Sequence, residues 1–163
     1  MRLADLNALS EDAAAAEFLR CCGSTVWADR MAAARPFAGA DEMAAAADEI
    51  LGSLGPADWL EAFAAHPEIG ERPASAWASN EQAGAASAGD DVRDRLVRGN
   101  RRYQDRFGYI FIVCATGRTA NAMLADLEHR LLHASDEELP IAAEEQRKIT
   151  RLRLAKLLRD DAT

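Results

Sequence analysis

His66 is one of three histidines in the chain, and Pro67 and Glu68 follow it directly. Proline disfavours helical backbone at the residue before it. The imidazole is therefore expected where a helix stops and the chain turns, a place that can be held rigidly and still face a cleft. Histidine titrates near neutral pH, and a nearby carboxylate can orient it or share its proton. Such a carboxylate stands fifteen residues on, in the polar pair Glu81-Gln82. The competing role for a histidine before proline is purely structural: it ends a helix, its ring bonded to a backbone carbonyl. Residue types and spacing leave both roles open.

Arg153 is the second candidate. Ile149, Arg153 and Leu157 are spaced by four on the last predicted helix, which sets the arginine inside an apolar stripe. A buried charge needs an acidic partner or an anionic ligand. Alternatively its long stem runs along the stripe and delivers the guanidinium to water. His129 and His133 are four apart, but no glutamate accompanies them as in a metalloprotease helix, and they read as surface or helix-end residues. No metal site is expected.

The elements that must position these groups are helical. Ser10 with Glu11 and Asp12 marks a helix start, and Gly23 a stop. Ser24 or Thr25 caps the next helix, which Pro36 closes. Asp41 is expected to cap a third helix ending before Gly55, and Pro56 to open a fourth ending near His66. Residues 77–88 are alanine-rich and can be helical; residues 92–106 form a further helix with six arginines, read mainly as a solvated face. Arg118 to His133 forms another. Ser135 with Glu138 is read as a capping box opening the last helix, which reaches about Arg159. Only FGYIFIVCAT, residues 107–116, has strand-like composition. With no second such run to pair with, it is expected to be a buried extended segment, some of whose backbone groups can face a ligand. The expected fold is all-α, one compact domain over residues 1–163 with about seven or eight helices.

Composition narrows the function classes. The 163 residues suffice for one domain with a core, and the net charge is −8. Residues 1–70 hold 12 acidic and 4 basic residues, whereas 71–163 hold 15 of each. An acidic total argues against general nucleic-acid binding and against attachment to an anionic membrane. The adjacent pair Cys21-Cys22 and the remote Cys114 make neither a disulfide framework nor zinc spacing, and suit a reducing, cytoplasmic setting. No signal peptide or membrane span is expected. Phosphate loops, nucleophile elbows and dinucleotide fingerprints are absent from the sequence. An enzyme built from this chain would use side-chain acid/base chemistry and no cofactor.

The motifs, taken together in order, resemble the OHCU decarboxylase family, which acts on 2-oxo-4-hydroxy-4-carboxy-5-ureidoimidazoline (OHCU) in urate breakdown. The likeness runs through CCGS (21–24), Trp27, RPF (35–37), AHPEIG (65–70), EQAG (81–84), RFGYIFIVCATGRT (106–119), RLL (130–132), EL (138–139) and KITRLRL (148–154). It implies a cofactor-free helical enzyme that makes (S)-allantoin and carbon dioxide. It places the catalytic histidine at His66, with Pro67 lining the pocket, and the family's glutamate and glutamine at Glu81 and Gln82. It assigns a last-helix arginine to Arg153, and lining backbone to Phe111, Ile112, Val113, Cys114 and Ala115. Some members carry serine three residues before the glutamate, where this chain has Ala78 beside Ser79. Members are often homodimers. Decarboxylation without a cofactor must leave its electron pair in the substrate's conjugated ring, so the protein has only to orient a carboxylate and deliver one proton to one face. A non-catalytic binding protein of the same fold, or an acid/base enzyme acting on another ureido or imidazolone compound, are the rival readings.

Overall fold

The computed structural model describes residues 1–69 and 89–159. Among them are eight α-helices and no strand, as the all-α expectation requires. The helices are α1 (Leu3–Ala8), α2 (Glu11–Cys21), α3 (Thr25–Ala33), α4 (Ala40–Ser53), α5 (Pro56–Ala64), α6 (Asp90–Phe107), α7 (Ala120–Arg130) and α8 (Ser135–Leu157). The helix expected over 77–88 lies outside the described residues, and with it Ala78, Ser79, Glu81 and Gln82. The chain divides into two compact units, Met1–Ala65 with Gln146–Thr163, and His66–Glu145.

The first unit is built on α3. Ser10 and Ser24 cap α2 and α3 through their hydroxyls, accepting from the N–H groups of Ala13 and Trp27. Trp27 is fully buried, stacks edge-on to Phe18 with ring centroids 6.1 Å apart, and donates its indole N–H to the Ala47 carbonyl of α4 at 3.1 Å. Burying an apolar side chain of this class stabilises by about 1.5–3 kcal/mol, and the indole bond removes the polar penalty that would offset it. Pro56 occupies the first turn of α5, where its missing N–H costs nothing. Asp41 is not the cap of α4: Gly39 takes that position and Asp41 falls in the first turn, where it complements the helix dipole.

Helix α1 has no counterpart among the sequence expectations. It is six residues long and lacks a side-chain cap at its start. Its C-terminal end is satisfied from a distance, because Arg35 donates to the Leu6, Asn7 and Leu9 carbonyls, and Asn7 exchanges hydrogen bonds with the Phe37 backbone. Arg35 and Pro36 are joined by a cis peptide bond.

The second unit packs α6 on α7. A methyl group built on Gly99 would lie 2.5 Å from Leu127 Cδ2, so glycine permits the close approach of the two helices. The core includes Ile69, Leu96, Tyr103, Phe111, Val113, Ala115, Met123 and Leu127. Gly108 ends α6 in a left-handed conformation, φ 84°, that favours glycine. Residues 110–115 then form neither helix nor strand and are mostly buried, as expected of a buried extended segment over 107–116, except that Phe107 is the last residue of α6. Phe111, Val113 and Ala115 enter the core cluster, whereas Ile112 is buried outside it and Cys114 is half-buried, the alternation of an extended chain. The capping box at Ser135 is corrected. The carboxylate that reaches back is Glu137, accepting from the Ala134 N–H at 3.0 Å, and Glu138 is turned into the interior with no exposure. Helix α8 continues unbroken through Pro140.

Candidate active site

The turn that carries His66 is set up by α5. Helix α5 is pinned to the start of α3: Glu61 accepts from the backbone N–H and the hydroxyl of Thr25, at 3.2 and 2.5 Å. Gly23 lies so close that a Cβ there would be 2.3 Å from Ala65 Cβ. Ala65 caps α5, its N–H donating to the Ala62 carbonyl at 3.3 Å. His66 and Pro67 follow, both half-buried. The histidine thus stands where the proline rule puts it, just past a helix end.

Beyond Pro67 the turn is tied down within the second unit. Glu68 accepts from Asn100 Nδ2 at 3.3 Å and from Gln104 Nε2 at 2.8 Å, both on α6. Asn100 is 1% exposed, and its other amide atom, Oδ1, accepts the Phe111 N–H at 2.8 Å. One side chain therefore joins the turn next to His66 to the start of the extended segment.

The same segment is held by three further backbone hydrogen bonds. Arg130 is buried, and its Nη1 donates to the Ile112 carbonyl at 2.6 Å. Its Nε donates to Glu138 Oε1 at 2.6 Å, and that same oxygen accepts the Tyr103 hydroxyl at 2.5 Å. His133 Nδ1 lies 2.8 Å from the second Glu138 oxygen, and the Arg130 guanidinium sits 4.6 Å from the Phe111 ring centre. Burial works against the Arg130 charge, but Tyr103 and Glu138 outweigh it and hold the guanidinium pKa above its ordinary value. Burial, reinforced by the bond to Glu138, pushes the Tyr103 hydroxyl upward, so it acts as a donor. Further on, the Cys114 N–H donates to Glu145 at 3.3 Å, and the Ala115 carbonyl accepts from Arg118. Among the described residues, the N–H groups of this segment left without a protein partner are those of Ile112, Val113 and Ala115.

His66, Pro67 and Phe111–Ala115 thus belong to one unit, while Arg153 belongs to the other. Arg153 is buried with Ile149 and Leu157, as its place in the apolar stripe implied. The nearby Cys21 thiol is pushed up to about 12 by burial, with the Arg153 and Arg20 charges pulling the other way. Glu81 and Gln82 lie outside the described residues. Among the described residues no three histidine, cysteine or acidic side chains cluster as a metal site would need.

The sequence assigns no site role to Asn100 or Arg130, and points to Glu138 only as a helix cap. Arg130 and Glu138 open the RLL and EL motifs, but eight residues and a turn separate them, and only the fold shows that they pair. Asn100 carried a weaker signal: it is an amide in the middle of an arginine-rich helix, where asparagine is a poor helix former.

Residues 7–155 match the family described as OHCU decarboxylase. The chain belongs to this family. It is 39% identical to an OHCU decarboxylase whose crystal structure was determined in the presence of (S)-allantoin, with a TM-score of 0.81 over 88% of this chain and 98% of that one. A 2-oxo-4-hydroxy-4-carboxy-5-ureidoimidazoline decarboxylase of Haloferax volcanii is 30% identical, with 95% of each chain covered. The uric acid degradation bifunctional protein TTL of Arabidopsis thaliana is 40% identical over 90% of this chain, which spans 48% of that longer protein. The motif-by-motif resemblance to OHCU decarboxylases is therefore matched by sequence and fold along most of the chain. No helix among the described residues is long and apolar enough to cross a membrane.

Proposed function

We propose that this chain is a cofactor-free carboxy-lyase that converts OHCU to (S)-allantoin and carbon dioxide in urate catabolism. The likeness to the decarboxylase studied with (S)-allantoin, extending over 98% of that chain, is the observation that carries the reading. Loss of carbon dioxide breaks a carbon–carbon bond and leaves its electron pair in the substrate's conjugated imidazolone. A proton is then added to carbon from one side, and this fixes the hand of the product. His66 is the acid/base that handles that proton, from a half-buried turn at a helix end. Glu81 orients His66 or the ureido N–H groups, Gln82 and Pro67 contact the substrate, and Arg153 supplies positive charge for its carboxylate. Phe111–Ala115 supply fixed backbone groups, with the N–H groups of Ile112, Val113 and Ala115 as donors.

The site belongs to a single OHCU decarboxylase-like domain spanning residues 1–163, a reading supported by a family match over residues 7–155. The proposed setting is the cytoplasm, with Cys21, Cys22 and Cys114 as free thiols. The proposed assembly is a homodimer, testable by light scattering. For the activity, OHCU is generated freshly, the protein is added, and the allantoin formed is followed by circular dichroism. Fast appearance of one hand supports the decarboxylase. A racemate formed at the spontaneous rate moves the assignment to a binding protein or another ureido substrate.

A further inference from the structure

We infer that Asn100 is a positioning residue for the reaction, acting through Glu68 on His66 and through the Phe111 N–H on the substrate-facing segment. This rests on the proposed role of His66. Asparagine is a poor choice for the middle of an eighteen-residue helix, and an unpaired buried amide is costly. At 1% exposure Asn100 has both its amide atoms engaged, and neither of these bonds holds its own helix together. One runs to Glu68, two residues after His66, and the other to Phe111, where the buried segment begins. Gln104, one turn further along α6, holds the second oxygen of Glu68. The turn that carries His66 and the start of the 111–115 segment are thus both tied to one side chain of α6. A reacting group needs its position set to a fraction of an ångström, and a displacement of about 1 Å can cost about 100-fold in rate.

The polarity of this link is specific and can be reversed. Asn100→Asp keeps the acceptor for the Phe111 N–H but sets two carboxylates face to face at Glu68. Glu68→Gln together with Asn100→Asp restores every bond with the donor and acceptor exchanged. The amide nitrogen introduced by Glu68→Gln would donate to the carboxylate introduced by Asn100→Asp. The oxygen of that new amide would still accept from Gln104, and net charge and volume are unchanged.

The test compares wild type, N100D, E68Q and the E68Q/N100D double variant. For N100D the expected result is a loss of about 10- to 100-fold in kcat with KM within about 3-fold. The double variant is expected to recover to within about 3-fold of wild type. E68Q alone alters only a partly exposed turn, and keeps the question answerable if N100D does not fold. It is expected to lose kcat in the same sense. A second readout needs no substrate: the ring C–H resonances of His66 in the free protein are expected to move in the single variants and return in the double. If wild type yields only racemic product, the decarboxylase reading fails and the resonances alone decide the positioning role. Unmoved His66 resonances in folded single variants, or a double variant no better than N100D, would overturn the proposal.

Discussion

Replacing Arg130 with methionine should destabilise the fold far more than any exposed arginine can. Arg130 and Glu138 meet at 2.6 Å with side chains 2% and 0% exposed. Removing one member of such a pair leaves a buried charge, which typically costs about 3–5 kcal/mol. Glu138 would keep the Tyr103 hydroxyl and His133, so the lower end applies, about 3 kcal/mol. The Ile112 carbonyl would also lose its donor, adding about 1 kcal/mol. The expected total of about 4 kcal/mol lowers the melting temperature by roughly 8–16 °C in a protein of this size. Arg95 provides the comparison. It meets Glu128 at 2.8 Å, nearly the same separation, but with side chains 46% and 54% exposed. Water screens that pair, and Arg95→Met should cost no more than about 1 kcal/mol. Urea unfolding of both variants against wild type makes the measurement. If the two lie within about 1 kcal/mol of each other, burial does not decide the strength of these pairs and the reasoning fails.

Two further outcomes are expected. Gly23→Ala should lower stability by about 1–3 kcal/mol and slow turnover, because the new methyl meets Ala65 Cβ directly before His66; Ala65→Gly added to it should recover most of both. The Cys21 thiol is raised from an ordinary value of 9.0 to about 12 in the folded protein. Above about pH 9 the unfolded chain therefore releases its proton first, binds fewer protons than the native state, and stability falls as pH rises. Cys21→Ala should flatten that slope between about pH 9 and 11 in urea titrations, and an unchanged slope would remove Cys21 as its source.

The fold was legible mainly where local chemistry decides it. Ser10 and Ser24 cap helices and Pro56 opens one, as serine and proline favour at those positions. The buried run at 110–115 stood out because its composition broke with its surroundings. Helix α1 did not stand out, because its end is completed by Arg35, more than twenty residues away. Glu138 was misread for a related reason. Spacing suggested a cap, but Tyr103, Arg130 and His133 together draw its carboxylate inward, and Glu137 does the capping at Ala134. Of the candidate site, the position of His66 at a helix end follows from proline geometry alone. The link from Glu68 through Asn100 to Phe111 joins three places distant in sequence, and no local pattern carries it.

His66 is proposed to deliver the proton that makes the product one hand. His66→Asn removes the titratable ring and keeps a polar side chain of similar reach. Freshly generated OHCU is mixed with wild type or this variant at equal concentration, and the optical signal of allantoin is followed in time, with folding of both checked by far-ultraviolet dichroism. Fast formation of (S)-allantoin by wild type, falling to the racemic spontaneous course in the variant, is the predicted result. A strong signal of one hand that survives in His66→Asn would contradict it, and would return the histidine to a structural role at the end of α5.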